Sequence, residues 1–310
     1  MGIEEFKKEL LAELVNLGRE MDSPIKVEIR NVERVNDVSE RIYLSFPEAE
    51  SSLRLGLGFS VKGLYEEFKH TANLYAVAKT LVKRLLEEKN SLAVVQKLQS
   101  EISAEWILQR IKPIVVNKKQ NEHLLNDYIN KEYLDLLVLF QVVVDRQEDH
   151  SKTMLLQKSV AQSFGITMDE LEQKVFNPTW MNANFKISEI REVLQKLSPG
   201  EFDSSPFIGD MWVVTNNEAL YGAASILYPE LFKVLAMKDV NKVLYILPSS
   251  VHECIAVLLD NYSCPEVETS IVEWLQNMVR TINQCEVSKE EFLSDNIYLY
   301  SKELNAIEML

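Results

Sequence analysis

The chain has 310 residues, of which 46% are hydrophobic and 26% charged, with 33 Lys and Arg against 47 Asp and Glu for a formal charge of −14. That balance fits a soluble globular protein of two or three domains and argues against wholesale disorder. The surplus of carboxylates opposes phosphate backbones and anionic lipid, so no direct nucleic-acid binding and no membrane association are expected, while a basic protein partner is compatible with it.

At the start, Ile3, Phe6, Leu10, Leu14 and Leu17 recur at helical spacing and Gly18 stands as a stop, which predicts an amphipathic helix. Residues 26–34 and 41–46 read as strands around an Asn36-Asp37 turn, and residues 53–61 alternate as a third, so a small meander follows. Gly56 and Gly58 lack the third glycine of a dinucleotide loop and the Gly-Lys-Ser/Thr ending of a phosphate loop, so they read as close packing or a bulge. Asn73 can cap a helix whose stripe of Leu74, Val77, Ala78, Leu81, Val82, Leu85 and Leu86 would cover the meander. The polar stretch 87–91 closes a first domain at 1–90.

The middle region, 91–200, opens with a helix near 103–111, broken by Pro113, then a short strand at 114–116 and a polar helix or loop at 118–127. Residues 133–144 are the longest apolar run; the valines at its end favour a buried strand, and its length leaves a helix open. Asp135 inside it is a candidate catalytic carboxylate if burial raises its pKa, or a hydrogen-bonded rim residue if not. Thr167 with Glu170 has the spacing of a capping box, and Asn177-Pro178 stops the helix it starts. A short amphipathic helix carrying Ile187, Ile190, Val193, Leu194 and Leu197 leads into a linker-like stretch at 198–209.

In the last region, 201–310, a strand at 211–214 precedes Thr215, Asn216 and Asn217, and Thr215 with Glu218 again has capping-box spacing. Residues 219–237 read as two short helices divided by Pro229. Strand-like runs at 243–247 and 252–258 are joined by Pro248, Ser249, Ser250 and Val251, which fits an antiparallel hairpin. Ser263 with Glu266 can box the start of a helix whose core stripe is Val267, Ile271, Trp274, Met278 and Ile282, and Ser288 with Glu291 precedes a last strand at 297–300. The fold class is therefore α+β: small antiparallel sheets covered by helices, with a C-terminal β-α-β-β-α-β unit. No period of a solenoid repeats.

Asn216, YGAASILYP at 221–229, YILPSSVHE at 245–253 and LSDNIYLYS at 293–301 resemble the bacterial domain-of-unknown-function family 5688. The C-terminal third matches best, and weaker patches in the same order extend the likeness over most of the chain. Glu230 replaces the glycine expected after the proline, and 238–242 lacks the glycine usual before the next strand. The resemblance implies this architecture; the family carries no established activity or catalytic residues, so it implies no mechanism.

Cys254, Cys264 and Cys285 show neither a CxxC pair nor a nearby His pair, which argues against structural zinc and for reduced thiols in a cytoplasm. Glu4 and Glu5 sit in the first turn without a following apolar h-region, no run nears the roughly eighteen apolar residues that span a bilayer, and Phe6 stands where a myristoylation signal needs Ser or Thr. No targeting segment or anchor is expected.

The polar cluster that invites chemistry is Asn216, Tyr221, Ser249, Ser250, His252 and Glu253. A serine beside a histidine and a glutamate suggests a hydrolase in which His252 takes the serine proton. Strand alternation puts Ser250 and His252 on one face and Glu253 on the other, and GxSxG and HExxH are absent, so the serines read as turn formers and Asn216 as a backbone-bonding residue near the hairpin. His70, His123 and His150 read as surface groups. No catalytic residue, cofactor or metal ligand is assigned. The residues point to a non-catalytic interaction or regulatory protein with an unknown protein partner. A hydrolase-like enzyme at Ser250 and His252 is the first alternative, and an acidic decoy for a basic, nucleic-acid-binding surface the second.

Overall fold

The computed structural model describes residues 1–20, 25–46, 57–87, 102–146, 151–197, 210–261 and 264–310. The chain is an α+β protein, divides into two compact units, Met1–Ser103 and Ala104–Leu310, and pairs its described strands antiparallel throughout.

In the first unit, α1 (Ile3–Glu20) precedes a three-stranded meander of β1 (Lys26–Arg34), β2 (Asp37–Ser45) and β3 (Leu57–Ser60), then α2 (Val61–Thr71) and α3 (Leu74–Glu87). Phe6, Leu10, Leu14 and Leu17 of α1 close with Ile42 and Leu44 of β2 and with Val77, Ala78, Leu81, Val82 and Leu85 of α3 into one core. Asn73 caps α3 as expected, accepting the Ala76 N–H at 3.0 Å. Gly18 does not stop α1: it lies buried inside a helix that runs on to Glu20. The first hairpin turns at Val35 and Asn36, with Asn36 in the left-handed region at φ 56°, so β2 already begins at Asp37. The third strand is shorter than its alternation suggests, because Ser60 accepts the Gly63 N–H and starts α2 at Val61; residues 53–56 lie outside the described ones. Gly58 is close packing, since a Cβ there would lie 2.8 Å from the Tyr43 ring.

The second unit takes in described residues on both sides of 198–209, and the linker-like stretch itself lies outside the described residues. Its first sheet contains β4 (Ile111–Asn117), β5 (Asn130–Tyr133), β6 (Leu136–Arg146) and β7 (Ser151–Leu155), with β6 paired on one side by β4 and along successive stretches by β5 and β7. The run 133–144 is thus mainly a strand, but it is interrupted at its start. Leu134, at φ 56°, and Asp135 form a two-residue hairpin turn between β5 and β6. Pro113 lies in β4, which among the described residues has a strand neighbour on one side only and so tolerates the missing donor. The short helix α4 (Ala104–Gln109) precedes that strand.

Beyond β7 come α5 (Lys158–Ser163), α6 (Met168–Val175) and α7 (Pro178–Asn184). The Thr167–Glu170 capping box is formed, and Asn177-Pro178 both ends α6 and starts α7, because Asn177 accepts the Trp180 N–H. The second sheet has six strands in the order β13 (Ala306–Met309), β12 (Tyr298–Ser301), β10 (Lys242–Ser250), β11 (Glu253–Asp260), β9 (Met211–Asn216), β8 (Phe185–Glu189). The short helix α8 (Ile190–Leu197) follows β8, while a 3₁₀ turn (Gly222–Leu227) and α9 (Pro229–Ala236) separate β9 from β10. The β-α-β-β-α-β order is present, with α10 (Pro265–Cys285) as its second helix.

Leu275 and Val279 of α10, flanked by Ile271, Val272 and Met278, pack on Tyr245, Leu247 and Val257 of the sheet. The expected stripe is therefore rotated: Val267, Trp274 and Ile282 are exposed. Ser263 lies outside the described residues, and the N-cap of α10 is Cys264, without a side-chain cap bond. No helix among the described residues is long and apolar enough to cross a membrane.

Leu81 is 2% exposed at the centre of the first core. Leu81→Asp places an unpaired carboxylate there and is expected to cost about 4 kcal/mol or more, read as a lowered denaturation midpoint; a variant that melts with the wild type would show the α3 face to be exposed.

Candidate functional site

The YGAASILYP segment is a wedge. Its 3₁₀ turn packs against β9 and β11 of one sheet and β4 of the other, and Gly222, Ala223, Ala224, Ser225 and Ile226 are all buried. Only small side chains fit: a Cβ at Gly222 would lie 2.2 Å from Thr215 Oγ1 and 2.5 Å from both the Asn216 nitrogen and the His252 carbonyl oxygen. Tyr221 takes the left-handed conformation, φ 58°, at the entry to the wedge.

The hairpin meets this wedge with its polar groups. β10 continues through Pro248 and Ser249 to Ser250, with a register shift between Pro248 and Ser250, and β11 begins at Glu253, so the connection is the two residues Val251 and His252. Because His252 sits in the turn, strand alternation does not govern its direction relative to Ser250. Its Nδ1 accepts the Tyr221 N–H at 3.1 Å, its backbone N–H donates to Ser250 Oγ at 3.0 Å, and its carbonyl accepts from Thr215 Oγ1 at 2.7 Å. Accepting at Nδ1 places the neutral ring's proton on Nε2, which faces Glu291 Oε1 at 3.6 Å. Ser249 Oγ reaches Glu253 Oε1 at 3.5 Å.

Asn216 holds its own turn, accepting the Leu220 N–H and donating to the Leu220 carbonyl, and Thr215 pairs with Glu253 in the adjoining strand. The structure thus brings Asn216, Tyr221, His252 and Glu253 to one end of the sheet, as the strand order suggests. Thr215 does not cap a helix with Glu218; it is a strand residue, and Glu218 pairs elsewhere. Glu291 is the hairpin's partner that sequence reasoning missed: its carbonyl accepts the Val251 N–H at 2.8 Å.

Cys254, next on β11, is buried against the wedge, its thiol reaching the Ala223 carbonyl, and burial pushes its pKa up to about 12. Cys264 and Cys285 are exposed. His70 is exposed, His123 half-buried, and His150 lies outside the described residues. Among the described residues no group of three His, Cys, Asp or Glu side chains could hold a metal ion.

Asp135 is a clamp. Ser294 Oγ and Asn296 Nδ2 donate to its Oδ2 at 2.6 and 3.0 Å, and the Tyr298 hydroxyl donates to Oδ1 at 2.8 Å. Three residues of LSDNIYLYS therefore close on one carboxylate at the β5–β6 turn, which ties the two sheets together. Burial first, and the neighbouring Asp135 charge second, push the Tyr298 hydroxyl well above its ordinary pKa and keep it a donor.

A concavity lies at a different place. A cleft of about 810 Å³ opens between the start of β4, the end of β6, α7 and the turn after β9, and of the polar cluster only Asn216 lines it. Arg110 stands with its guanidinium 4.3 Å from the Trp106 ring centroid. Lys112, with a side chain only 12% exposed, binds Glu218 at 2.9 Å. Asn217 donates from its backbone to the Asn184 carbonyl and from its amide to the Ala183 carbonyl, fixing the turn to α7. Trp180 forms part of the wall and stacks on Tyr228 at 6.0 Å. The available signal was the pair of cations, Arg110 and Lys112, at the junction of a short helix with a strand.

Gly222→Ala is expected to destabilise the second unit by about 3 kcal/mol, the upper part of the range for overpacking, because two of the three nearest atoms are backbone; a variant with an unchanged denaturation midpoint would show that the wedge yields. Thiol labelling of the native protein near pH 8 should modify Cys264 and Cys285 and spare Cys254, whose buried thiol stays protonated until unfolding. Equal labelling of all three would contradict that burial.

No curated protein and no solved structure matches the chain. The model of a family of unknown function, DUF5688, matches residues 3–302, and the chain belongs to that family.

Proposed function

We propose that the chain is a non-catalytic recognition protein whose site is the cleft at Arg110, Lys112 and Glu218, and that it takes a protein segment carrying a basic side chain. The observation that supports this is the make-up of the cleft, where a shielded Lys112–Glu218 ion pair, an arginine stacked on Trp106 and the Trp180 ring surround a concavity of about 810 Å³. Such groups bind by charge, hydrogen bonding and ring contact. Glu218, held by Lys112, and Asp145 are the carboxylates that line it. Residues 104–310 carry 18 Lys and Arg against 30 Asp and Glu, a surplus that steers basic partners.

The hairpin supports the same reading. His252 Nδ1 accepts a backbone N–H and Ser250 Oγ accepts another, so both atoms serve the turn. Hydrolysis through these residues would need the imidazole positioned to accept the serine proton.

Glu218→Gln combined with Asp145→Asn removes the cleft's carboxylate charge and is expected to weaken the affinity of a partner purified from the source cell by about tenfold, roughly 1.4 kcal/mol. His252→Ala should lower the melting temperature slightly and leave that affinity intact. A hydrolytic activity lost in His252→Ala at unchanged melting temperature, or an affinity indifferent to both cleft substitutions, overturns the proposal.

A further inference from the structure

We propose a second recognition surface, on the first unit: the outer edge and open face of the three-stranded sheet take an extended acidic segment of a partner protein, added as a strand beside β1. The proposal stands apart from the cleft, with which it shares no residue.

Register places Arg30 directly opposite Arg41. Like charges directly opposite one another across a ladder are destabilising, so this pair calls for an anion. Arg30 is held by Glu28 of its own strand, to which its Nε and Nη2 both donate, but among the described residues Arg41 is less fully answered. Arg41 Nη1 reaches only the Gly58 carbonyl, at 3.4 Å, and Arg41 Nε is buried with no hydrogen-bond partner. One pair further along the same face, Ser39 Oγ is likewise buried and without a partner. Burial first, and the repulsion of Arg34 second, hold the Arg41 guanidinium below its ordinary pKa, against the opposing pull of Tyr43 and Asp37.

This crowding is not a general surplus of cations. Residues 1–103 carry 15 Lys and Arg against 17 Asp and Glu, yet Lys26, Arg30 and Arg34 recur at every fourth position of β1 and so share one face. Glu28, on that face, pairs with both Lys26 and Arg30, and Asp37 stands opposite Arg34. Charged edges also serve to discourage aggregation. A guard of that kind does not require a second arginine in the middle strand with a buried, unanswered Nε.

β1 has nine residues, contains neither proline nor glycine, and among the described residues has a strand neighbour only in β2. Its outer side is therefore a template for strand addition, in which main-chain bonds supply affinity and alternate side chains supply choice. Residues of an added strand directly opposite Arg30 and Arg34 fall on the arginine face, with Cβ atoms about 5 Å away. Carboxylates there would offset the repulsion between Arg30 and Arg41, and a neutral residue would face Glu28. A nucleic-acid strand fits less well. Its phosphates recur without a gap for Glu28 and cannot use the backbone of the edge.

The test titrates the 310-residue chain with a fluorescent peptide of about ten residues, the length of a strand, with Asp at every fourth position and Thr between, so that Asp faces Arg30 and Arg34 while Thr faces Glu28. Saturable binding is expected, weakened about tenfold by Arg30→Glu and by N-methylation of alternate peptide amides, at unchanged melting temperature. Should Arg30→Glu fold poorly, Arg30→Gln serves, with a smaller loss expected. Glu218→Gln should leave the peptide's affinity unaltered, so failure here and failure of the cleft reading are separable. No binding, binding indifferent to the arginine substitution or to N-methylation, or stronger binding by an oligothymidylate of equal charge overturns the proposal.

Discussion

The second unit depends on the approach of backbone to backbone at Gly222. Thr215, Asn216 and His252 come so close to that α-carbon that no side chain can stand there. The residues after it follow from the same constraint. Ala223, Ala224 and Ser225 fill a gap between β9, β11 and β4 that larger side chains would force apart, and their polar groups are answered locally: Ala223 N–H by the Val251 carbonyl, Ser225 Oγ by Val214. A tight interior demands that buried donors and acceptors find partners. His252, Ser250 and Thr215 serve that demand, which is why a cluster resembling a hydrolytic site is absorbed into a turn.

The Asp135 clamp is the corresponding device on the other side of the unit. One carboxylate receives a serine, an asparagine and a tyrosine from a segment more than 150 residues later in the chain, and Asn117 adds a bond to the Leu293 carbonyl. Charge-assisted bonds to an ionised acceptor are stronger than neutral ones, so a few residues suffice to join a sheet from the middle of the chain to one from its end. The motifs by which the sequence resembles its family are, in this structure, largely wedge, turn and clamp.

Helices with a single consistent stripe were legible: Phe6 to Leu17 in α1 and Leu74 to Leu86 in α3 match the buried face because the same residues satisfy both spacing and core. α10 shows where spacing becomes ambiguous. Its apolar residues form two overlapping stripes, and the sheet takes the one through Leu275 and Val279 while leaving Trp274 outside. Helix α2 was concealed because Val61 and Gly63 continue a strand-like alternation, and only the Ser60 cap marks the change. The Asp135 clamp and the Glu291 contact to His252 were illegible for a simpler reason. Both join residues distant in sequence, so no local pattern records them.

A scaffold that spends its donors and acceptors internally leaves few groups for anything else, and those left over are informative. Among the described residues, the buried side-chain atoms without partners are Ser39 Oγ, Arg41 Nε, Gln120 Oε1 and Gln141 Oε1. Leaving such an atom unsatisfied costs about 1–3 kcal/mol. Ser39 and Arg41 lie on the same face of the first unit's sheet as Arg30. Gln141 stands on β6 directly opposite Lys112, and residues directly opposite across a ladder share a face, so it belongs to the layer from which the cleft rises. Gln120, in the turn after β4, is the exception. None of these atoms belongs to the hairpin, where His252 Nδ1, the His252 backbone N–H and carbonyl, and Ser250 Oγ are each engaged in holding the turn.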